Sequence, residues 1–303
     1  MTQNRKRWPK IDAKTFQQQL GKLANTIALK VEREAAKSIK PQFTAADITV
    51  MLRHSLSCYE LMCFVNADET RKRGWKPGYS AALFSVNRSM IDCLYNITVL
   101  LKFPSKRYAF RESGYKFALE SVKADEQHYG RKRAWRTYIK QMRAGLRAAM
   151  DADGITSAEV EAAETWPTLG RYLQVPKGTA VTPHQQFLKE LSLAFWREYS
   201  AMTHAVFQGL LPIAMFYMPD KIPHEHRSQF DDVVERFIAT HLLRNAAILL
   251  CTLTEVQAAL RFFDEARINE RLLNVWKALL RIPEVKELYD GRYKQLMQEK
   301  GIC

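Results

Sequence analysis

A polar row between Trp196 and His204 carries the most conspicuous chemistry of this sequence. Arg197 and His204 are seven residues apart, with Ser200 between them and Tyr199 beside it. At about 100° per residue, two helical turns return Arg197 and His204 to nearly the same face. A neutral His can move a proton at a ribose oxygen while a fixed guanidinium neutralises charge on phosphate. The row therefore predicts metal-independent RNA cleavage, and the alternative is a core histidine with Arg197 on the surface.

A second polar pair lies in an apolar stretch nearer the N-terminus. Arg88 and Asp92 are four residues apart, next to Asn87, and their neighbours are mostly Val, Met, Ile and Leu. Polar groups in such a segment need partners, because burying them unpaired costs free energy. The spacing allows an ion pair on the helix surface or, in the interior, a brace for polar groups of a neighbouring helix. We expect the pair to support catalysis only if it faces His204.

The segment 102–147 is the most basic part of the chain. It holds thirteen Lys and Arg against four Asp and Glu, a net charge of +9, interleaved with Tyr, Phe and Trp. This composition favours association with polyanions that weakens as salt rises. It would also suit a non-catalytic nucleic-acid- or protein-binding module, and the structural alternative is a solvated helix face. The residues expected to contact nucleic acid are Arg131, Lys132, Arg133, Arg136, Lys140 and Arg143.

The composition of the whole chain is that of a basic, globular, helical protein. Of 303 residues 47% are hydrophobic, and 46 Lys and Arg against 32 Asp and Glu give a formal charge of +14. The 12 Gly and 11 Pro are too few for the turns of an all-β sandwich. Motifs of a P-loop, a dinucleotide fold, a zinc protease or a di-iron bundle are absent from the sequence. The charge predicts an acidic partner, either nucleic acid or an acidic protein. The RNA-cleaving chemistry of Arg197 and His204 favours RNA over DNA as the nucleic acid.

The cysteines, histidines and apolar runs bear on cofactors and location. Five cysteines form no C-x-x-C pair, and four lie in apolar helical patterns, so we expect reduced, structural thiols. His224 and His226 lack further ligands nearby in the sequence, so no metal or other cofactor is expected. The N-terminus has no secretory signal, and the most apolar run, 205–218, is too short to cross a bilayer. The expectation is a cytoplasmic protein that does not bind membranes.

Hydrophobic periodicity predicts helices almost end to end. Apolar positions recur at three- and four-residue steps, including a very long segment from about 227 to 263. Thr182 followed by Pro183 marks a helix start, and Gly209 with Pro212 is expected to break that helix. We therefore predict an all-α, single-domain antiparallel helical bundle. Its expected parts are a basic N-terminal helix at 1–43, a bundle at 44–303 and, within the bundle, a basic helical hairpin and connector inserted at 102–182.

Two short motifs in these helices resemble a large bacterial family of helical domains of unknown function. One is an Arg-Ser-x-x-acid helix in the N-terminal half, and the other is a later Tyr-x-x-x-x-His helix with Ser inside it. The residues that match the two motifs are Arg88, Ser89, Asp92, Tyr199, Ser200 and His204. The resemblance extends from about residue 44 to residue 260.

Arg197 and His204 also resemble the Arg-x4-6-His motif of HEPN (higher eukaryotes and prokaryotes nucleotide-binding) helical bundles, in which this motif often marks metal-independent ribonucleases at a dimer interface. In this chain Glu198 follows Arg197, where active HEPN proteins usually have a neutral polar residue or His. The resemblance implies a homodimeric endoribonuclease or nucleotide-processing enzyme with a place in a bacterial defence or stress system. The implied roles are proton transfer by His204, phosphate binding by Arg197, orientation by Ser200 and Tyr199, and support by Arg88 and Asp92.

Overall fold

The structure is a computed structural model that describes residues 13–37, 43–67, 72–74, 76–174, 180–204, 207–218, 221, 223–260, 266–299 and 301. All regular structure in these ranges is helical, which confirms the predicted all-α class. The chain divides into two compact units, unit 1 formed by Met1–Thr98 with Leu173–Cys303 and unit 2 formed by Val99–Tyr172. Where the sequence predicts one bundle with an insertion at 102–182, the structure sets most of that insertion apart as a unit of its own.

The helices follow one another through short connections. The first eight are α1 (Ala13–Lys37), α2 (Phe43–Val65), α3 (Pro77–Leu83), α4 (Val86–Lys102), α5 (Arg107–Tyr129), α6 (Arg133–Asp153), α7 (Ser157–Ala162) and α8 (Leu169–Tyr172). The remaining ones are α9 (Pro183–Leu191), α10 (Arg197–Thr203), α11 (Phe207–Tyr217), α12 (Arg227–Leu260), α13 (Ala266–Leu279), α14 (Pro283–Leu288) and α15 (Lys294–Glu299). Single π-helical turns at Ser192–Trp196 and Tyr289–Tyr293 join α9 to α10 and α14 to α15.

Helix α9 starts where the sequence predicts it, whereas the helix break predicted further along the chain is not found at the expected residues. Thr182 caps the helix, since its hydroxyl accepts from the Gln185 backbone N–H while the Gln185 side chain accepts from the Thr182 N–H, and the predicted start is thus confirmed. The expected break at Gly209 and Pro212 is wrong, because both residues lie inside α11. A Cβ at position 209 would clash with the backbone carbonyl group of Ala201. Glycine therefore serves the close approach of α11 to α10 rather than a break.

Helix α12 forms the centre of unit 1. Its C-terminal half is buried on nearly every side, and it packs against α1, α2, α3 and α13. By length and composition the helical span His224–Leu260 would be able to cross a membrane, and 67% of its apolar window is buried inside the protein. A helix that is apolar all round is also what the core of a large helical unit requires. Helix α1 belongs to the same unit and lies along α2.

Unit 2 is built on a long hairpin of α5 and α6. The two helices contact each other and are joined by a turn of three residues, so they run antiparallel. The core of the unit lies where α6 ends, with Met150, Ile155 and Val160 packed against Tyr115 and Leu119. Elsewhere α6 is largely exposed and has only one further buried residue. Most of its charged surface therefore faces solvent.

Candidate functional site

The predicted catalytic row lies on the outside of unit 1. Helix α10 exposes Arg197, half-buries Ser200 and ends at His204, which is also exposed. The backbone N–H of His204 donates to the carbonyl oxygen of Ser200 at 3.0 Å and closes the last turn. The alternative interpretation of position 204 as a core histidine is therefore wrong. Arg197 and His204 are instead accessible to a ligand in solvent.

Tyr199 points the other way, into the core of unit 1. Its side chain is 0% exposed, and its hydroxyl lies 2.8 Å from Nδ1 of His241 on α12. The His241 ring stacks on Phe84, with ring centroids 4.1 Å apart. Burial, reinforced by the positive charge of Arg244, lowers the pKa of His241 to about 3, so the imidazole that shares this hydrogen bond with Tyr199 is neutral. Tyr199 consequently takes no part in the exposed row, which corrects its expected orienting role.

Glu198, the residue that departs from the HEPN pattern, is held by an ion pair. Its Oε2 accepts from Nη1 of Arg244 at 2.8 Å, and Nη2 of the same guanidinium donates to Glu284 at 3.2 Å. The other carboxylate oxygen of Glu198, Oε1, lies 3.7 Å from Nε2 of His241. One arginine of α12 thus joins α10 to α14. Glu198 therefore has a structural role at this position, because its carboxylate neutralises the mostly buried charge of Arg244.

Arg88 and Asp92 form the ion pair that their spacing predicts, which confirms that part of the interpretation. Nε of Arg88 lies 3.1 Å from Oδ2 of Asp92, and the guanidinium lies over the ring of Trp196 at 4.1 Å from its centroid. Trp196 in turn donates its indole N–H to Asp92 at 3.4 Å. Burial raises the pKa of Asp92 despite these two partners. These contacts lead to Trp196 and not to His204, so the pair braces the turn before α10.

The polar residues of α12 were missed by sequence reasoning. His241, Arg244 and Asn245 lie within one stretch of five residues in α12, and each meets a polar partner from another helix. Asn245 donates its side-chain amide to Asn87 of α4. The available signal was the clustering itself, since polar groups in an apolar helix need partners. It predicts that partners exist but does not say which ones.

The basic face of α6 brings four cations into one row. Arg136, Lys140, Arg143 and Arg147 follow one another at steps of four, three and four residues, which places them on one side of the helix. At 1.5 Å per residue the row is about 16 Å long. The four side chains line a groove of about 320 Å³, together with Glu126 of α5. We call this surface, defined by the four cations, the basic face.

In the part of the chain that the structure describes, one cation of the basic face is paired with a carboxylate. Nη2 of Arg143 donates to Oε2 of Glu126 at 2.6 Å. Within the residues that the structure describes, Arg136, Lys140 and Arg147 have no carboxylate partner, and all three are exposed. The predicted contact residues of the hairpin turn, which are likewise exposed, are Arg131, Lys132 and Arg133. Arg147 was not among the predicted contact residues. It belongs to the basic face because it lies four residues after Arg143 on the same side of α6.

Metal ligands and thiols add no further site in the described ranges. No group of three or more His, Cys, Asp or Glu side chains there could hold a metal ion. His224 and His226 lie exposed in a 3-10 turn before α12. The free cysteines are Cys58, Cys63, Cys93 and Cys251, whereas Cys303 lies outside the described residues.

Comparison with known proteins assigns no family to this chain. No protein-family model, curated protein or solved structure matches it. The resemblance of the two short motifs to the bacterial helical family stays a prediction. The resemblance of Arg197 and His204 to the HEPN motif stays a prediction as well.

Proposed function

We propose that the protein binds nucleic acid through the basic face of α6. The observation that carries the proposal is the row of Arg136, Lys140, Arg143 and Arg147, which meets one carboxylate among the described residues. Like charges at these spacings repel one another on an isolated helix. A polyanion laid along the row removes that repulsion and releases its own counterions, so both terms favour binding.

The phosphate backbone is the polyanion that this geometry suits best. A row of about 16 Å accommodates several consecutive phosphates, and Arg forms two parallel hydrogen bonds with each phosphate that it meets. We expect RNA in preference to DNA, as the motifs imply. If each of the four cations neutralises one phosphate, a fourfold rise in salt lowers the affinity about 50- to 150-fold.

The test measures binding of labelled oligonucleotides across a salt titration. The double charge reversal Arg136→Glu with Lys140→Glu should weaken binding and flatten the salt dependence by about one unit for each phosphate contact removed. Its matched control is Lys277→Glu with Arg281→Glu, which reverses two exposed cations of unit 1 and changes the net charge equally. Reversal of Arg131, Lys132 and Arg133 should also weaken binding. Equal losses in variant and control would reject the basic face as the binding site.

We propose metal-independent RNA cleavage as a second candidate function. The observation that favours it is the exposure of both Arg197 and His204 on α10, where a phosphate could reach them. RNA should then be cleaved in EDTA by the unchanged protein and left intact by His204→Ala. HEPN-like sites also need two copies, so light scattering should report a dimer of this 35.1 kDa chain. Intact RNA after incubation with the unchanged protein would reject this candidate.

A further inference from the structure

An aromatic cluster stands at the turn of the α5–α6 hairpin. Tyr129 and Trp135 are stacked, with ring centroids 4.3 Å apart and planes inclined by 22°. Tyr138 meets Trp135 edge to face at 5.6 Å. These three rings form an ordered aromatic surface, and we call them the tip cluster.

The tip cluster is not part of a hydrophobic core. The core of unit 2 lies where α6 ends, around Met150. Tyr129 is 37% exposed and Tyr138 is 48% exposed, while Trp135 is half-buried. Rings that packed only for stability would gain more free energy from full burial, because the gain scales with the apolar area removed from water. The cluster thus leaves ring surface open to a ligand.

A cation lies against one of these rings, and residues next to the rings in the chain line the groove of the basic face. Nζ of Lys132 lies over the Tyr129 ring at 5.5 Å from its centroid. Gly130 and Arg136, the next residues along the chain from Tyr129 and Trp135, both line the groove of the basic face. Trp135 and Tyr138 lie about 100° and 160° around α6 from Arg136, so a ligand that uses both surfaces must turn around the helix near the hairpin turn.

We propose that the ligand is single-stranded nucleic acid, held by its phosphates on the basic face and by unpaired bases on the tip cluster; this rests on the proposed function. Every base offers a flat π-surface that stacks on an aromatic ring without regard to sequence. In a duplex those surfaces are stacked on neighbouring base pairs, so reaching a ring costs unstacking. Polyanions without bases, such as polyphosphate or acidic peptides, would use the cations and leave the rings unoccupied.

The experiment compares four ligands on the full chain. They are a single-stranded oligonucleotide of about 20 nucleotides, a blunt duplex of the same length, inorganic polyphosphate and polyglutamate. The single strand should bind most tightly. Trp135→Ala and Tyr138→Ala should each weaken its binding about 5- to 150-fold and leave polyphosphate binding unchanged. The matched controls Trp135→Phe and Tyr138→Phe keep a ring and should retain most of the affinity.

The outcomes separate this inference from the proposed function. Single strand and polyphosphate binding equally, with both lost on reversal of Arg136 and Lys140, would overturn the inference and keep the basic face. Loss of affinity for every ligand together with a lower melting temperature would mean that the rings only stabilise the turn, which also overturns it. Polyglutamate binding as tightly as the single strand would point to an acidic protein partner and overturn it too. Should Trp135→Ala fail to fold, Tyr138→Ala decides, because Tyr138 is the most exposed ring of the cluster.

Discussion

The mostly buried arginines of unit 1 and the cations of the basic face in unit 2 have opposite surroundings. In unit 1, Arg244 is bound by two carboxylates, and Arg292 makes two hydrogen bonds to the carboxylate of Glu255, one of them 2.8 Å long. On α6 of unit 2, Arg143 pairs with Glu126, whereas the exposed cations Arg136, Lys140 and Arg147 have no carboxylate partner among the described residues. Arg244 and Arg292 thus join helices inside unit 1, whereas the cations of the basic face in unit 2 are available to a partner.

The physical reason for the difference is desolvation. A guanidinium taken out of water must be paired, because an uncompensated buried charge costs several kcal/mol. A cation on an exposed helix keeps its water and needs no carboxylate, so a pairing there adds at most about 1 kcal/mol. Pairing therefore indicates a structural role for an arginine, and its absence in an exposed row indicates a binding role.

The largest expected effect comes from breaking a buried pair in unit 1. Glu255→Gln removes the charge opposite Arg292, whose side chain is only 20% exposed, and should lower the free energy of unfolding by about 3 to 5 kcal/mol. Chemical denaturation measures the loss. Glu287→Gln, an exposed carboxylate on the neighbouring α14, is the control and should change stability by less than about 0.5 kcal/mol. A loss at position 255 as small as that of the control would contradict the distinction between the units.

A smaller effect is expected from acidification, through His241. Its pKa is about 3 in the folded protein against an ordinary value of 6.5, so between these values the unfolded chain binds a proton that the folded chain does not. Stability therefore falls as the pH drops below about 6.5, and the loss between pH 7 and pH 5 is about 2 kcal/mol from this residue. Urea denaturation at the two pH values measures it. His241→Gln should show a pH dependence that is flatter by that amount, and an unchanged dependence would show that His241 is not buried in its neutral form.

The sequence predicted the features that depend on local spacing. The class of the fold and most helix positions follow from periodicity, because an amphipathic helix shows its buried face in its own residues. The basic face was largely predictable as well, since Arg136, Lys140 and Arg143 share a face through helical geometry alone. The ion pair of Arg88 with Asp92 is equally local.

The features that depend on packing between distant helices were not predictable. Tyr199 and Ser200 are neighbours in the sequence, yet the first is buried against α12 and the second is half-buried on the outside. Spacing places both near Arg197 but does not say which face of α10 meets the core. The partners of Glu198 and Tyr199 lie more than 40 residues along the chain, so only the tertiary fold identifies them.

Removing the carboxylate of Glu126, which pairs with a cation of the basic face, tests the same comparison. Its expected effect on stability is smaller than that of the two changes in unit 1. Glu126→Gln breaks a pair in which the acid is 50% exposed, so it should cost about 0.2 to 1 kcal/mol. The same change frees Arg143 and removes a negative charge from the groove. Affinity for a single-stranded oligonucleotide should rise, as a binding titration at fixed salt would measure. Weaker binding would mean that Glu126 holds Arg143 in position for the ligand.

The smallest effect on stability is expected at His204. The residue is exposed at the end of α10, so His204→Ala opens no cavity and should change the free energy of unfolding by less than about 0.5 kcal/mol. Tyr199→Phe on the same helix is the matched comparison, because it leaves Nδ1 of buried His241 without its hydrogen-bond partner and should cost about 1 to 3 kcal/mol. Thermal melting of both variants, with an RNA-cleavage assay in EDTA, separates the two faces of α10. A fold left intact with cleavage abolished would place His204 in the reaction, whereas a stability loss equal to that of Tyr199→Phe would show that the residue packs against the bundle.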